Sequence, residues 1–134
     1  MAGRDDERDY SHRSLVDKLG VKPGMRVALD GVHDEQLQQD VEARGVELVG
    51  SGEPADMILL GVDSGAELAG RIAGAWPRVQ PSGALWIVYP KGVRSVTENE
   101  VLSAGRAAGL LDVKVVRFSP THTALRFVAP RAKR

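Results

Sequence analysis

The chain reads as one α/β domain, a three-layer sandwich with helices on both faces of a mostly parallel sheet. Segments of strand and helix character alternate as β-α-β-β-α-β-α-β-β, the order expected when crossover helices return the chain to one sheet. The first four strand segments are apolar, as parallel strands covered on both sides must be. Two of the intervening helices open on the Ser/Thr-x-x-Glu pattern of a capping box.

The elements follow in order. Residues His12 to Leu19 form a short helix closed by Gly20, and Lys22-Pro23-Gly24 is a turn, because proline presets φ and glycine accepts φ > 0. Met25 to Asp30 is the first strand. Asp34 caps a helix to Arg44 with Leu37 and Val41 one turn apart, Gly45 ends it, and Val46 to Val49 is the second strand. Met57 to Val62, apolar except for Gly61, is the third strand. Ser64 and Glu67 cap a helix with Leu68, Ala69, Ile72, Ala73 and Trp76 at helical spacing. Pro77 and a Pro81-Ser82-Gly83 turn close that unit before the fourth strand, Ala84 to Tyr89. Thr97 and Glu100 open the last helix, through Val101, Leu102, Gly105 and Ala108 to Gly109. Val113 to Phe118 and Thr123 to Val128 close the domain as a hairpin across Ser119 to His122. Trp76 and Trp86 fall on core faces. Arg126 lies inside a strand between Leu125 and Phe127, so it needs a carboxylate partner or a path to an edge.

Composition bounds the function. A length of 134 residues fits one domain, and 43% hydrophobic residues suffice for a core. Eighteen basic residues balance eighteen acidic ones, so no net field draws the chain to nucleic acid or an anionic membrane. At 4% aromatics, a base-stacking platform is not expected. The absence of cysteine excludes disulfides, a thiolate nucleophile and cysteine zinc sites. His12, His33 and His122 lie far apart in sequence with no metal-binding spacing, so no metal is expected. The charged start is no signal peptide, and no apolar run reaches the roughly 20 residues that span a bilayer. A soluble cytoplasmic protein is the expectation. Residues 1–11 read as a disordered tail, 12–129 as the single domain, and 130–134, with Arg131, Lys133 and Arg134, as a short basic tail.

Three stretches resemble a class I methyltransferase domain that has lost one helix-strand-helix segment. Pro23-Gly24-Met25-Arg26-Val27 resembles the start of its first strand, and Gln80 to Ile87 resembles the "pro-gly-gly, then strand" passage of that fold. The final hairpin resembles the antiparallel pair closing such sheets. Residues 11 to 129 are similar to a short bacterial family known as a domain of unknown function. The shared features are the opening Lys18 to Gly24 and the ending Leu125 to Val128. The resemblance implies a Rossmann-like sheet of order 2-1-3-4-6-5 with the last strand antiparallel. A crevice then opens at the carboxyl ends of strands 1 and 3, where the order reverses.

The motifs of such a fold are altered here. S-adenosylmethionine (SAM) needs consecutive glycines after the first strand so that backbone can approach it, and an acid after the second for its ribose. This chain has Asp30-Gly31-Val32-His33 and Gly50-Ser51-Gly52, with Glu53 a late acid. No cofactor is therefore expected. Gly50 to Ala55 matches G-x-G-x-x-A, but Pro54 leads into a strand rather than the helix N-terminus a phosphate requires, which makes it a plain loop.

The crevice is expected to gather Asp30 and His33, Asp63 and Ser64, and Tyr89 and Lys91 from the ends of three strands. A carboxylate, an imidazole and an ammonium group together have the means for acid–base work. Lys91 and Arg94, on one glycine-containing loop, are a pair of cations suited to a phosphate or carboxylate. No nucleophile elbow, Walker loop or tandem carboxylate pattern occurs, so no catalytic residue is assigned. The favoured reading is a non-catalytic domain that binds a protein partner, a small ligand or a second copy of itself. Asp30, His33, Asp63, Ser64, Lys91 and Arg94 are its candidate binding residues. The alternative is an enzyme or ligand sensor using the same crevice. A third reading is an RNA-associated accessory using Lys91, Arg94 and the basic tail.

Overall fold

A computed structural model of the chain describes residues 15–50 and 52–130. The expected tail at 1–11, residues 131–134 of the expected tail at 130–134, residues 12–14 of the first helix, and Ser51 lie outside the described residues.

The described elements are α1 (residues 15–19), β1 (Arg26–Asp30), α2 (Glu35–Ala43), β2 (Glu47–Val49) and β3 (Ala55–Gly61). They continue with α3 (Leu68–Ala75), β4 (Val79–Pro90), α4 (Glu98–Ala107), β5 (Leu111–Arg117) and β6 (His122–Val128). The six strands form one sheet of order β2-β1-β3-β4-β6-β5. β1 runs parallel to β2 and β3, and β3 to β4, whereas β6 is antiparallel to both β4 and β5. This is the order and orientation that the resemblance implied.

The strongly apolar β3 and β4 occupy the middle because only there are both faces covered. Residues of β3 alternate between two cores: Ile58 and Leu60 pack with Leu68, Ile72 and Val101 on the α3/α4 side. Met57 and Leu59 pack with Leu19, Leu37 and Val41 on the α1/α2 side. Trp86, wholly buried, stands on the second side, and its indole Nε1 donates to the Leu19 carbonyl at 3.1 Å. That bond satisfies the one polar atom of a large apolar side chain and ties α1 to the sheet centre. Each large side chain taken fully out of water contributes roughly 2–3 kcal/mol.

The predicted caps form. Asp34 accepts from Leu37 N at 3.0 Å, and Thr97 and Glu100 close a reciprocal box. Ser64 and Glu67 first wind a 3-10 turn, Gly65–Glu67, from which α3 continues.

Three expectations need correction. Pro81-Ser82-Gly83 is not a turn before the strand but lies within β4. There it forms an irregularity, since Ala55 pairs with Val79 and Met57 with Ala84. The exposed bulge accommodates a proline that a regular ladder would reject. The buried stripe of α3 is Leu68, Ile72 and Ala75, while Ala69 and Ala73 face outward and Trp76 is half-buried. Tyr89 does not reach the crevice: it is buried in the α4-side core. Arg126, expected either to pair with a carboxylate or to reach an edge, has no ion-pair partner among the described residues and is half-buried, opposite Trp86 and Lys114 on the neighbouring strands. Its long side chain takes the edge route rather than the paired one.

Gly105, in the third turn of α4, is a packing requirement. A Cβ there would meet the ring of Phe127, with Cζ at 2.6 Å. Alanine has the better helix propensity by about 1 kcal/mol, yet overpacking against a buried ring costs about 1–3 kcal/mol. Gly105→Ala is expected to lower the thermal midpoint; an unchanged or raised midpoint would show that Phe127 gives way freely.

Burial, and secondarily the charge of Glu98, pushes the Tyr89 phenol up from 10.0 to about 12, against an opposing hydrogen bond with Thr123. A raised folded-state value means that the neutral phenol's contribution to stability is intact below pH 10 and lost as pH rises toward 12. Urea titrations of the parent and Tyr89→Phe chains across that window should show a steeper alkaline loss in the parent. Parallel curves would place Tyr89 in contact with solvent.

Candidate functional site

The carboxyl ends of β1 and β3 meet backbone to backbone. Gly31 follows β1 at φ 79°, and a Cβ there would stand 3.1 Å from the Gly61 carbonyl oxygen. A Cβ on Gly61 would collide with the Gly31 carbonyl. These two glycines let the ends of adjacent parallel strands approach closely at the order reversal, where open α/β sheets form a crevice. Gly61 is the residue that interrupts the apolar run of β3 in the sequence.

Two cavities open from this point. The first, about 260 Å³, lies over the ends of β1, β3 and β4 and is closed on one side by the β5–β6 connection. His33, Asp63, Thr121 and His122 are among the residues that line it. Thr121 Oγ1 is 2.8 Å from His122 Nδ1, which sets the orientation of that imidazole. The Asp63 and Ser64 amides donate to Glu67 Oε2 at 2.8 and 3.1 Å, and Arg71 Nη1 donates to Glu67 Oε1 at 3.0 Å. The bond from Asp63 N, with Arg71 assisting, holds the Glu67 carboxyl below its usual value. The wall of the crevice is thus fixed by a charged cap.

The second cavity, about 500 Å³, lies on the α3 side over β1 and β2. Its floor includes Leu29, Val49 and Leu60, and Gly70 and Gly74 form its helical wall. Arg78 spans it. Its Nη1 donates to Asp30 Oδ2 at 2.7 Å, Nε to the Glu53 carbonyl at 3.0 Å and Nη2 to the Gly50 carbonyl at 3.3 Å. The Asp30 and Arg78 side chains are only 15% and 14% exposed, so the pair is far less screened than a surface bridge. Arg71 Nη2 reaches the Asp30 carbonyl at 3.4 Å.

Of the six candidate residues, the structure brings His33 and Asp63 together in the first cavity. Asp30 lies in the second, engaged by Arg78. Ser64 belongs to the cap of α3. Lys91 and Arg94 are exposed on the loop after β4 and line neither cavity. The backbone of Lys91 donates to the Thr121 carbonyl at 3.0 Å, tying that loop to the β5–β6 connection. Sequence reasoning missed Arg78, Arg71 and the placement of His122. Nothing local marks Arg78, since its partners lie 25 to 48 residues away. His122 was visible in the sequence only as a residue of the hairpin connection and as one of three widely spaced histidines. Among the described residues no group of three His, Asp or Glu stands close enough to hold a metal ion, and no helix is long and apolar enough to cross a membrane.

Comparison with known proteins agrees with this architecture. The chain is similar in fold to ribosomal protein L11 methylase from Lactobacillus delbrueckii subsp. bulgaricus. That match has a TM-score of 0.65 at 12% identity, over 87% of this chain and 75% of the other. A SAM dependent methyltransferase from Aquifex aeolicus matches with a TM-score of 0.58 at 16% identity, over 86% and 87%. Magnesium protoporphyrin IX methyltransferase from Synechocystis PCC 6803, with bound SAM, matches with a TM-score of 0.58 at 12% identity, over 96% and 81%. At such identities the likeness is one of fold alone. No curated protein matches the sequence. Residues 16–131 match the family described as "Protein of unknown function (DUF3052)". The chain, with its methyltransferase-like sheet, therefore belongs to that family.

Proposed function

We propose that this is a non-catalytic binding domain. It has the sheet of a SAM-dependent methyltransferase without its cofactor site, and takes a small polar ligand or the polar segment of a partner in the crevice of His33, Asp63 and His122. The observation that carries the reading is the Arg78 bridge. SAM needs glycine backbone after β1 and a free acid after β2. Here Val32 and His33 follow Gly31, and the chain leaves β2 through Gly50, whose carbonyl accepts from Arg78. The acid at the end of β1, Asp30, is neutralised by the same guanidinium. Glu53, the remaining acid, lies 3.6 Å from Arg26 Nη2 at the other end of β1. The residues present do not fit the cofactor.

The crevice retains groups suited to recognition. An imidazole, a carboxylate and a hydroxyl-oriented second imidazole line a 260 Å³ space, the volume of a small metabolite or of one or two side chains. Lys91 and Arg94, without ion-pair partners among the described residues, stand on the neighbouring loop, where they add charge-assisted contacts to an anionic partner. The same His33, Asp63 and His122 grouping is what favours the second reading, an enzyme or ligand sensor. Loss of metabolite turnover on Asp63→Ala would carry that reading instead.

Titration calorimetry with SAM at millimolar concentration tests the proposal. No saturable heat is expected, and a dissociation constant below about 100 μM, or −5.5 kcal/mol, would overturn it. Arg78→Met, which leaves Asp30 half-buried without its partner, should cost about 2 kcal/mol in urea unfolding. Asp30→Asn combined with Arg78→Met should recover part of that loss. A single variant as stable as the parent would mean that the bridge is incidental.

A further inference from the structure

We propose that Arg126 and Lys114 form a binding site for a phosphate-sized oxyanion on the α1 side of the sheet. The two residues are direct partners across β5 and β6, in the stretch from Lys114 to Arg117 where the ladder is regular beyond its irregularity at Val113. Partners of this kind hold their Cβ atoms about 5 Å apart on one face, and like charges placed there destabilise the pair. Arg126 is also the direct partner of Trp86 on β4, whose ring belongs to the α1/α2-side core. Trp86, Arg126 and Lys114 therefore form one row on that face.

The end of α1 serves the two outer members of this row and leaves out the middle one. The Leu19 carbonyl accepts from Trp86 Nε1 at 3.1 Å, and the preceding Lys18 carbonyl accepts from Lys114 Nζ at 3.2 Å. Arg126, half-buried between them, has neither an ion-pair nor a hydrogen-bond partner for its side chain among the described residues. The acids adjacent in sequence to this corner are engaged elsewhere, Asp17 by Arg44 at 2.6 Å and Asp112 by Arg106 at 3.1 Å. A guanidinium has five N–H donors, and withdrawing it partly from water beside a second cation, with no acceptor, is unfavourable. No Arg126 nitrogen is sealed from solvent without a partner, so an anion can reach it.

A dianion answers both charges at once. The guanidinium fork donates two parallel N–H bonds to two oxygens of one group. The Lys114 ammonium gives one proton to the Lys18 carbonyl and keeps two for a further oxygen. A phosphate supplies that third oxygen and the second negative charge, whereas a monocarboxylate supplies neither. The repulsion within the empty pair then becomes shared attraction for one ligand. The site is separate from the crevice, since neither Lys114 nor Arg126 lines it and neither Lys91 nor Arg94 takes part.

Amide NMR of the isotope-labelled full chain, titrated with sodium phosphate against sodium chloride of equal ionic strength, tests the site. Phosphate alone should give saturable shifts at the amides around Lys114 and Arg126 and at the Trp86 indole. Arg126→Gln and Lys114→Gln should each weaken this binding about tenfold or more, the loss of one charge-assisted contact. Both variants should keep the parent's amide dispersion, and Lys114→Gln, which relieves the like-charge contact, should melt no lower than the parent in chloride. Glycerol 3-phosphate should bind at the same pair, and whether it or inorganic phosphate binds more tightly tells a phosphoryl group on an organic body from the free anion. Shifts that follow ionic strength alone, shifts centred on Lys91 and Arg94, undiminished binding in the two variants, or a lower midpoint for Lys114→Gln in chloride would each overturn the proposal. Neither SAM nor the crevice enters these readouts, so their failure leaves the reading of the crevice untouched.

Discussion

The structure depends on one constraint: the parallel pair β3–β4 is apolar on both faces and must be kept from water on both. A sheet whose central strands place Ile58 and Leu60 on one side and Met57, Leu59 and Trp86 on the other is unstable without two helical layers. That requirement brings α3 and α4 to one face and α1 and α2 to the other. It also explains the tight points of the fold. Trp86 is admitted because Leu19 offers a carbonyl to its indole, and Phe127 because Gly105 offers no side chain.

Cover is complete over the middle of the sheet and thins toward its margins, where the polar chemistry collects. The chain passes from β2 to β3 through a short loop, so among the described residues no crossover helix of that connection covers β1 and β2 on the α3 side. A fold of the methyltransferase type with that cover removed would leave Asp30 in contact with a half-open apolar floor. Arg78 stands in this space and draws together the ends of β1, β2 and the following loop with one guanidinium. Arginine suits the task, since its planar fork serves three acceptors in different directions while keeping its charge. The crevice on the other side of the Gly31–Gly61 contact is lined instead by His33, Asp63, Thr121 and His122, with no arginine among its lining residues.

The β5 edge carries the same logic outward. Its inner neighbour β6 is buried through Ala124, Leu125 and Phe127, while on β5 Val116 is buried and Leu111, Val113 and Val115 are exposed. The bulge at Val113 and the diversion of Lys114 to α1 then govern which side chains that edge presents.

The sequence by itself determined the element order, the helix caps, the parallel character of the sheet and, through likeness of pattern, the strand order. These depend on periodicity and on contacts three or four residues apart, such as Asp34 with Leu37 and Thr97 with Glu100. It also marked Gly61 as an anomaly and identified the altered loop after β1. Only the tertiary structure decided which candidates meet. Asp30 and His33 are three residues apart, yet they enter different cavities on either side of the Gly31–Gly61 contact. Arg78, 48 residues from Asp30, and His122, on the final hairpin, became partners of early residues through strand order alone. The Pro81 bulge, the face that Trp76 presents and the burial of Tyr89 were likewise decided by which neighbour each strand and helix found. No local pattern records that information, because the energies that settle it come from packing between segments far apart in the chain.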